Sequence, residues 1–473
     1  METKKSTNVN AIIAVLVFSG FISVFNETIL NVALSSLMVE MNVTAGTVQW
    51  IITAYMIIVA ILVPVTAFLI QTFETKQLYL SAMSIFLLGT ICAAFSGSFI
   101  MLLISRGLQA AGTGMLIPIM MNTVLVVTPP QKRGSTMGLC GAALILGPAL
   151  GPTVAGIVLE FSNWHTLFFI LIPIIILAMI LGSIYLVSTS VVTKPKIDFI
   201  SIILSTIGFG GFIYALSSIS GSQNIKITGL IFIVGILSLI LFCKRQLSLK
   251  EPMLDIRTFR YPVFSIGTIL VMISMMTIFT LAVMLPMFLQ GSLKATTFVT
   301  AMVLLPASLV SAVVTPIAGK LYDKFGTKVL VPVGFAVILV PLFILSFANT
   351  DTSIIKIIML FIVIDIGISL TMSPSQITAL NTLPRESYPH GVAILNTLQQ
   401  LASAIGSSLF IGIMSASQLK ALSNQIPEKA AATGFGTATL VLSGFVLVGL
   451  LLSIALSFIN KKAFALSTSI LEI

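Results

Sequence analysis

Charge is what this chain lacks most. Only 8% of its 473 residues are Asp, Glu, Lys or Arg, against roughly 25% in an ordinary soluble domain, so no large hydrated surface can be built from it. Histidine is scarcer still, and the two examples, His165 and His390, have no partner at catalytic or metal-ligand spacing. An enzyme working inside a membrane would need such a dyad or cluster, so the chain reads as no enzyme and as holding no metal or other cofactor. The three cysteines, Cys92, Cys140 and Cys243, are odd in number and scattered; they offer no disulfide framework and read as small apolar side chains. The first apolar stretch has no convincing small-residue cleavage site and carries an acid, so it is not read as a removable signal. Long polar connections are missing too, which excludes a soluble domain of appreciable size.

What is present is hydrocarbon: 57% of the residues are hydrophobic and the mean hydropathy is +1.14. Apolar runs of about 20 residues, each long enough to span a bilayer as a helix, recur at 10–35, 47–70, 77–96, 99–126, 134–159, 165–187, 198–218, 227–243, 262–289, 296–319, 328–348, 354–380, 390–416 and 435–459. The expected fold is an all-α polytopic membrane protein of fourteen transmembrane helices. The net charge of +10 does not point to nucleic acid, because the cations alternate with the helices. With the N-terminus inside, eighteen of the 24 Lys and Arg fall on the inner side (Lys4, Lys5, Lys76, Lys132, Arg133, Lys194, Lys196, Lys244, Arg245, Lys250, Arg257, Arg260, Lys320, Lys324, Lys328, Arg385, Lys461, Lys462). Five fall outside (Lys226, Lys294, Lys356, Lys420, Lys429), and Arg106 lies within a span. That asymmetry places both termini in the cytoplasm.

Two acids stand inside apolar runs. Glu27 continues the first run, where an ionised carboxylate costs about 2.5 to 3.5 kcal/mol, so a functional role is the default reading. Ser19, Ser23, Glu27, Asn31 and Ser35 recur every fourth residue, with Asn26 beside the acid, and predict one polar helix face. Asp365 sits about mid-span in the twelfth run and is followed on its face by Ser369, Met372, Ser373 and Gln376. Asn396, Gln400, Ser403 and Ser407 form a similar stripe in the thirteenth run. Together these stripes imply a wet cavity. Packing roles for both acids remain the alternative. In the fourth run Arg106 needs a partner, and the carboxylate or amide of the first helix is the obvious one; Gln109 and Thr113 share its face. In the second run Trp50 reads as an interfacial anchor, with Thr53 and Tyr55 inside.

The fifth run is dense in glycine and proline, Gly138 to Pro152 and then Gly156, including Gly147, Pro148, Gly151 and Pro152. That composition gives either a pliable gate or ordinary small-residue packing. In the ninth run Met272, Met275, Met276, Met284 and Met287 mix with Phe279 and Phe288, which suits core filling and an adaptable pocket equally. The loop Ala67–Lys76 aligns without gaps with Gly319–Lys328, pairing Leu69 with Leu321, Phe73 with Phe325, Thr75 with Thr327 and Lys76 with Lys328. The chain therefore reads as two related six-helix halves, a transporter architecture. The expected domains are residues 1–190, a first bundle; 191–261, two inserted helices read as a spacer plus a cytoplasmic linker; and 262–473, a second bundle.

At these residues the chain resembles the major facilitator superfamily, and within it the fourteen-helix drug:proton antiporters typified by Gram-positive exporters of lincosamides, quinolones and cationic dyes. Gly319–Lys328 is similar to the superfamily loop motif, with Asp323 and Lys328 as its charged latch. Arg106, Gln109 and Gly112 match the arginine motif implicated in proton transfer, Gly138–Gly156 the helix-five motif of exporters, and Trp164–Pro173 the start of helix six, with His165 and Leu171 in place of the usual Arg and Asn. Three departures stand out. Asn26 occupies the usual Asp position with Glu27 next to it. The first loop has Gln71, Ala67 and Glu74 where an acid and glycines are usual. Asp365 stands where a small residue is common. The resemblance implies a monomeric, multi-pass protein of the bacterial plasma membrane that exchanges protons for lipophilic, often cationic drugs and dyes. Glu27 would be the main coupling acid, tuned by Arg106; Asp365 would be a second on its burial alone, since the resemblance carries over no role for it. Ser23, Asn31, Tyr55, Gln109, Met276, Phe279, Ser369, Gln376, Asn396 and Gln400 would line the substrate path. Export of an endogenous metabolite or lipid-like molecule is the alternative.

Overall fold

The computed structural model describes residues 8–48, 50–188, 198–218 and 225–471. Lys4, Lys5, Lys194, Lys196, Ser220 and the 190/191 boundary lie outside the described residues, as do the side chains of Ser35, Ser217, Ser218, Lys461 and Lys462. Fourteen helices among the described residues are long and apolar enough to cross a membrane, so the chain is a multi-pass membrane protein. They are α1 Val9–Ile29, α2 Trp50–Thr72, α3 Thr75–Ala94, α4 Phe99–Val127, α5 Arg133–Phe161, α6 His165–Tyr185, α7 Phe199–Ser218, α8 Ile225–Ser248, α9 Pro262–Gly291, α10 Thr297–Phe325, α11 Thr327–Leu345, α12 Ile354–Asn381, α13 Tyr388–Ala421 and α14 Pro427–Leu471. Several begin on side-chain caps that satisfy orphan amides. Asn8 accepts from the Ala11 N–H at 3.2 Å, Ser98 from Met101 at 3.3 Å and Thr296 from Val299 at 3.3 Å. Gly326, with φ +68°, makes the break between α10 and α11. At the equivalent corner Glu74 has φ −63°, so the loss of glycine from the first loop accompanies a turn that any residue can make.

The chain forms two compact units. One comprises Met1–Pro129, Ala143–Arg257 and Arg385–Thr397; the other comprises Pro130–Ala142, Thr258–Pro384 and Leu398–Ile473. In the first, α4 packs on α1, α2 and α3, while α6 flanks α1 and α3. In the second, α12 packs on α9, α10 and α11, while α14 flanks α9 and α11. The packing diagram repeats eight helices on, which is the internal repeat expected from the paired loops plus two inserted helices. Its hubs, α4 and α12, carry Arg106 and Asp365.

Two expectations are corrected. The first helix ends at Ile29 and not near residue 35; Leu30–Ala33 form a turn and Leu34–Glu40 a separate short helix. Asn31 is therefore an exposed turn residue off the α1 face that bears Ser19, Ser23 and Glu27. The inserted helices are also more than a spacer. Helix α7 packs on α2, with Tyr214 stacked on Trp50 at 5.6 Å between ring centroids and Gly210 bringing its backbone close to Ile57 and Ile61. Trp50 thus fixes a helix pair as well as sitting at a helix end.

The pair is closed at its base by Asp198 and Arg245, which form two hydrogen bonds of 2.8 and 2.9 Å. Those bonds, helped by Ser201, hold the Asp198 carboxyl down from the usual 3.8 to about 2. A depressed folded value means that the contribution is complete above the ordinary carboxylate range and lost as pH falls through the folded value. Thermal melts taken between about pH 5 and pH 2 should therefore lose more stability in wild type than in Asp198→Asn.

Candidate functional site

In the first unit the site is built where α4 meets the end of α1. Arg106 is fully buried and its guanidinium is held at both terminal nitrogens. Nη1 donates to the Asn26 carbonyl and to Gln109 Oε1, and Nη2 donates to the Glu27 carbonyl, each at 3.0 Å. The Tyr55 ring lies under it at 4.2 Å from Cζ to centroid, a cation–π arrangement. Tyr55 in turn shares a 2.7 Å hydrogen bond with Thr113, and Gln109 Nε2 donates to Thr90 at 3.1 Å.

The partner of Arg106 is therefore the α1 main chain and not the carboxylate or amide expected from the sequence. The reason is helix termination. The last carbonyls of a helix have no partner of their own and carry its negative dipole end, and a forked, permanently charged donor satisfies two of them at once. That also explains why α1 stops at Ile29 although the apolar run continues.

The consequence for the acid is direct. Glu27 is half-buried, and its carboxylate has no hydrogen bond or ion pair to any described residue. A fixed positive charge is thus held close to an acid whose oxygens stay unengaged. Asn26 is fully buried, and among the described residues neither Nδ2 nor Oδ1 of its side chain has a hydrogen-bond partner; Arg106 Nε is likewise unpartnered among them. Three unpaired polar atoms beside one acid are an unusual concentration, since most such buried groups are paired. Ser23 and Ser19 complete the buried face of α1. Ser23 bonds its own helix at Gly20, whereas Ser19 shares a 2.7 Å bond with Tyr79.

The glycines of α5 reach this site. A Cβ on Gly147 would lie 2.9 Å from the Phe25 nitrogen, and one on Gly151 would collide with Thr28 Oγ1 and come within 3.2 Å of the Phe25 carbonyl. Gly147 and Gly151 thus let α5 press against the turn that carries Asn26 and Glu27, while Pro148 is exposed and Pro152 half-buried on other faces. Gly151→Val is expected to cost about 1 to 3 kcal/mol by overpacking and to reduce transport more than it reduces membrane-inserted protein, measured by transport per molecule of detergent-stable protein.

In the second unit Asp365 is half-buried on α12, and its carboxylate likewise has no hydrogen bond or ion pair to a described residue. One turn on, Ser369 joins a hydroxyl cluster with Ser311 at 2.7 Å and Thr315 at 3.1 Å on α10. Sequence reasoning missed Ser311 and Thr315, as it missed Thr90. Their four-residue spacing was a usable signal, the same as that on α1.

Asp323 lies near the end of α10 and accepts the Gly134 N–H on Oδ1 and the Ser135 N–H on Oδ2, both at 2.7 Å. It therefore caps the first turn of α5, where free amides and the positive dipole end favour a carboxylate. Gly138 lies against the Thr315 carbonyl and Gly134 against Gly319, so the approach depends on absent side chains. Lys328 is exposed and makes no ion pair with Asp323.

The remaining candidates are dispersed. Met276 is buried against Gly406 and Met284 is fully buried, whereas Met287 is exposed and Phe279 half-buried. The methionines do not form one stripe. Gln376 and Asn396 are buried, Asn396 with its Nδ2 unpartnered among the described residues, and Gln400 is half-buried. No group of three or more His, Cys, Asp or Glu among the described residues could hold a metal ion.

Comparison with known proteins identifies relatives along most of the chain. The family model described as Major Facilitator Superfamily matches residues 16–407. The chain is similar to the lincomycin resistance protein LmrB of Bacillus subtilis, 47% identical over 406 residues that cover 85% of each chain. It is also similar to the protein of that name from Listeria monocytogenes, 44% identical over 408 residues, 86% of this chain and 87% of the other. Among solved structures it resembles the human organic anion transporter MFSD10 with a TM-score of 0.65 at 11% identity, over 94% of this chain and 99% of that one. That likeness is one of fold.

Proposed function

Because the chain belongs to the major facilitator superfamily, we propose that it is a proton-coupled multidrug exporter of the bacterial cytoplasmic membrane that works by alternating access. Its cargo is lipophilic, often cationic drugs and dyes. The observation that carries this reading is the pairing of an unengaged Glu27 carboxylate with a rigidly tethered Arg106. An acid that forms no structural hydrogen bond can gain and lose a proton, or meet a cation, without dismantling its surroundings, while the fixed guanidinium tunes it. Relatives whose names record lincomycin resistance support a drug as cargo. Asp365, free in the same sense, is the second acid. With two acids, one cationic drug can leave against net inward charge movement, and the membrane potential then contributes about 2.3 kcal/mol per charge per 100 mV. The coupling ion is the proton, with no further cofactor. The chain acts as a monomer with both termini in the cytoplasm.

The test is export from cells. Cells producing the protein should tolerate lincomycin and lose a preloaded dye cation faster than vector-only cells, and a protonophore should abolish the difference. Dye loss that survives the protonophore would reject proton coupling. No effect on drug or dye at normal protein level would move the cargo to an endogenous metabolite or lipid-like molecule.

A further inference from the structure

The two related loops differ in what they hold. Asp323 in the second loop clamps the first turn of α5. At the aligned position of the first loop, Gln71 turns back and donates to the Ala67 carbonyl of its own helix at 3.0 Å. It holds no other described residue. The helix that corresponds to α5 in the repeat is α13, and its first turn is held by a different device.

The device begins on the inserted helices. Asp198 and Arg245 close the base of α7 and α8, and Ser201 donates to Asp198 Oδ2 at 2.6 Å. Gln246, fully buried, donates to Ser201 at 2.5 Å and accepts the Leu254 N–H at 3.0 Å, so one amide fastens the linker to the helix pair. Arg257 folds the linker back by donating to the Leu247 and Leu249 carbonyls at 2.8 and 2.9 Å, a cationic cap on the end of α8. Met253 and Leu254 are buried. The chain then presents the Asp255 N–H to His390 Nδ1 at 3.2 Å. His390 is buried on the first turn of α13.

We propose that Met253–Arg257 is a strap that holds the first turn of α13, anchored on the inserted helix pair, and that His390 is the positioning residue it grips. The strap replaces the clamp that the first loop lost with its acid. This gives the two extra helices a mechanical task beyond occupying lipid. It does not depend on what the protein carries.

The grip has a chemical condition. A main-chain N–H can only donate, so His390 Nδ1 must be the unprotonated nitrogen. Protonating the imidazole puts a hydrogen on the acceptor and ends the bond. The charged groups around it are the Asp255 carboxylate, Arg257 with Nε 4.0 Å from that carboxylate, and the exposed Arg385 and Glu386 just before α13. Asparagine offers Oδ1 as a permanent acceptor at a comparable distance from the backbone. Leucine offers none.

Hydrogen exchange of the linker peptide around residues 250–258 in the full-length protein tests this, with intrinsic exchange corrected for pH. In wild type the peptide should be protected near pH 8 and exchange about tenfold faster near pH 4.5, as expected for loss of one hydrogen bond. His390→Leu should exchange at the fast rate at both pH values and His390→Asn at the slow rate at both. Protection in wild type that does not change with pH would overturn the proposal, as would equal exchange in the Leu and Asn variants. The wild-type pH comparison stands even where a variant fails to fold. Because the readout is exchange and not transport, a failed export assay leaves it intact.

Discussion

Glu27→Gln is expected to reduce dye and lincomycin export to the level of vector-only cells while leaving the amount of folded protein unchanged. Glutamine keeps the size of the side chain and removes only the exchangeable charge. Because the carboxylate makes no hydrogen bond or ion pair to a described residue, no fixed contact is broken, and removal of a half-buried charge near the end of α1 lowers a desolvation cost. The two effects separate cleanly. Activity falls with the proton site, and thermal stability in detergent holds or rises. Loss of export together with loss of folded protein would assign Glu27 a packing role instead.

Arg106→Lys is expected to cost both. A single ammonium cannot reach the Asn26 carbonyl, the Glu27 carbonyl and Gln109 with the geometry of the guanidinium fork, and hydrogen bonds to charged groups are worth about 1.5 to 3 kcal/mol each. A stability loss of about 2 kcal/mol and at least a tenfold fall in export are expected, with Arg106→Ala worse because two helix-end carbonyls are then left unpaired. The double variant Glu27→Gln, Arg106→Gln separates this account from a simple ion pair. If the arginine existed to neutralise the carboxylate, neutralising both would restore stability. The main-chain contacts predict that the double variant stays well below wild type, because the Asn26 and Glu27 carbonyls remain unpaired whatever the charge at residue 27, so that the double-mutant-cycle coupling reads only the electrostatic tuning. Recovery of stability in the double variant would return Arg106 to the role the sequence first suggested.

That reassignment marks what the sequence could and could not carry. The number of spans was legible, because uninterrupted apolar length is nearly sufficient to define a membrane helix. The repeat was legible in the two aligned loops, and the α4 and α12 hubs fall where it requires. Glu27, Asp365 and Arg106 were legible as ionisable groups out of place. The end of α1 was not, since it is set by an arginine about eighty residues away whose contacts are with backbone atoms, and backbone carbonyls leave no trace in composition. Asn31 was misplaced for the same reason. The clamp of Asp323 on Gly134 and Ser135 was legible as a motif but not as a cap, because main-chain amides were again the partners. His390 carried no signal at all, as its role depends on the path of a linker folded back by Arg257.

The central claim is that proton release at Glu27 is tied to drug binding. It is tested most directly by recording internal pH in proteoliposomes holding the purified protein, with a lipophilic dye cation added across an imposed proton gradient. Wild type should release protons when dye is added, and Glu27→Gln, folded and inserted to the same extent, should not. Equal dye-triggered release by the two proteins would contradict the account and move the coupling to Asp365.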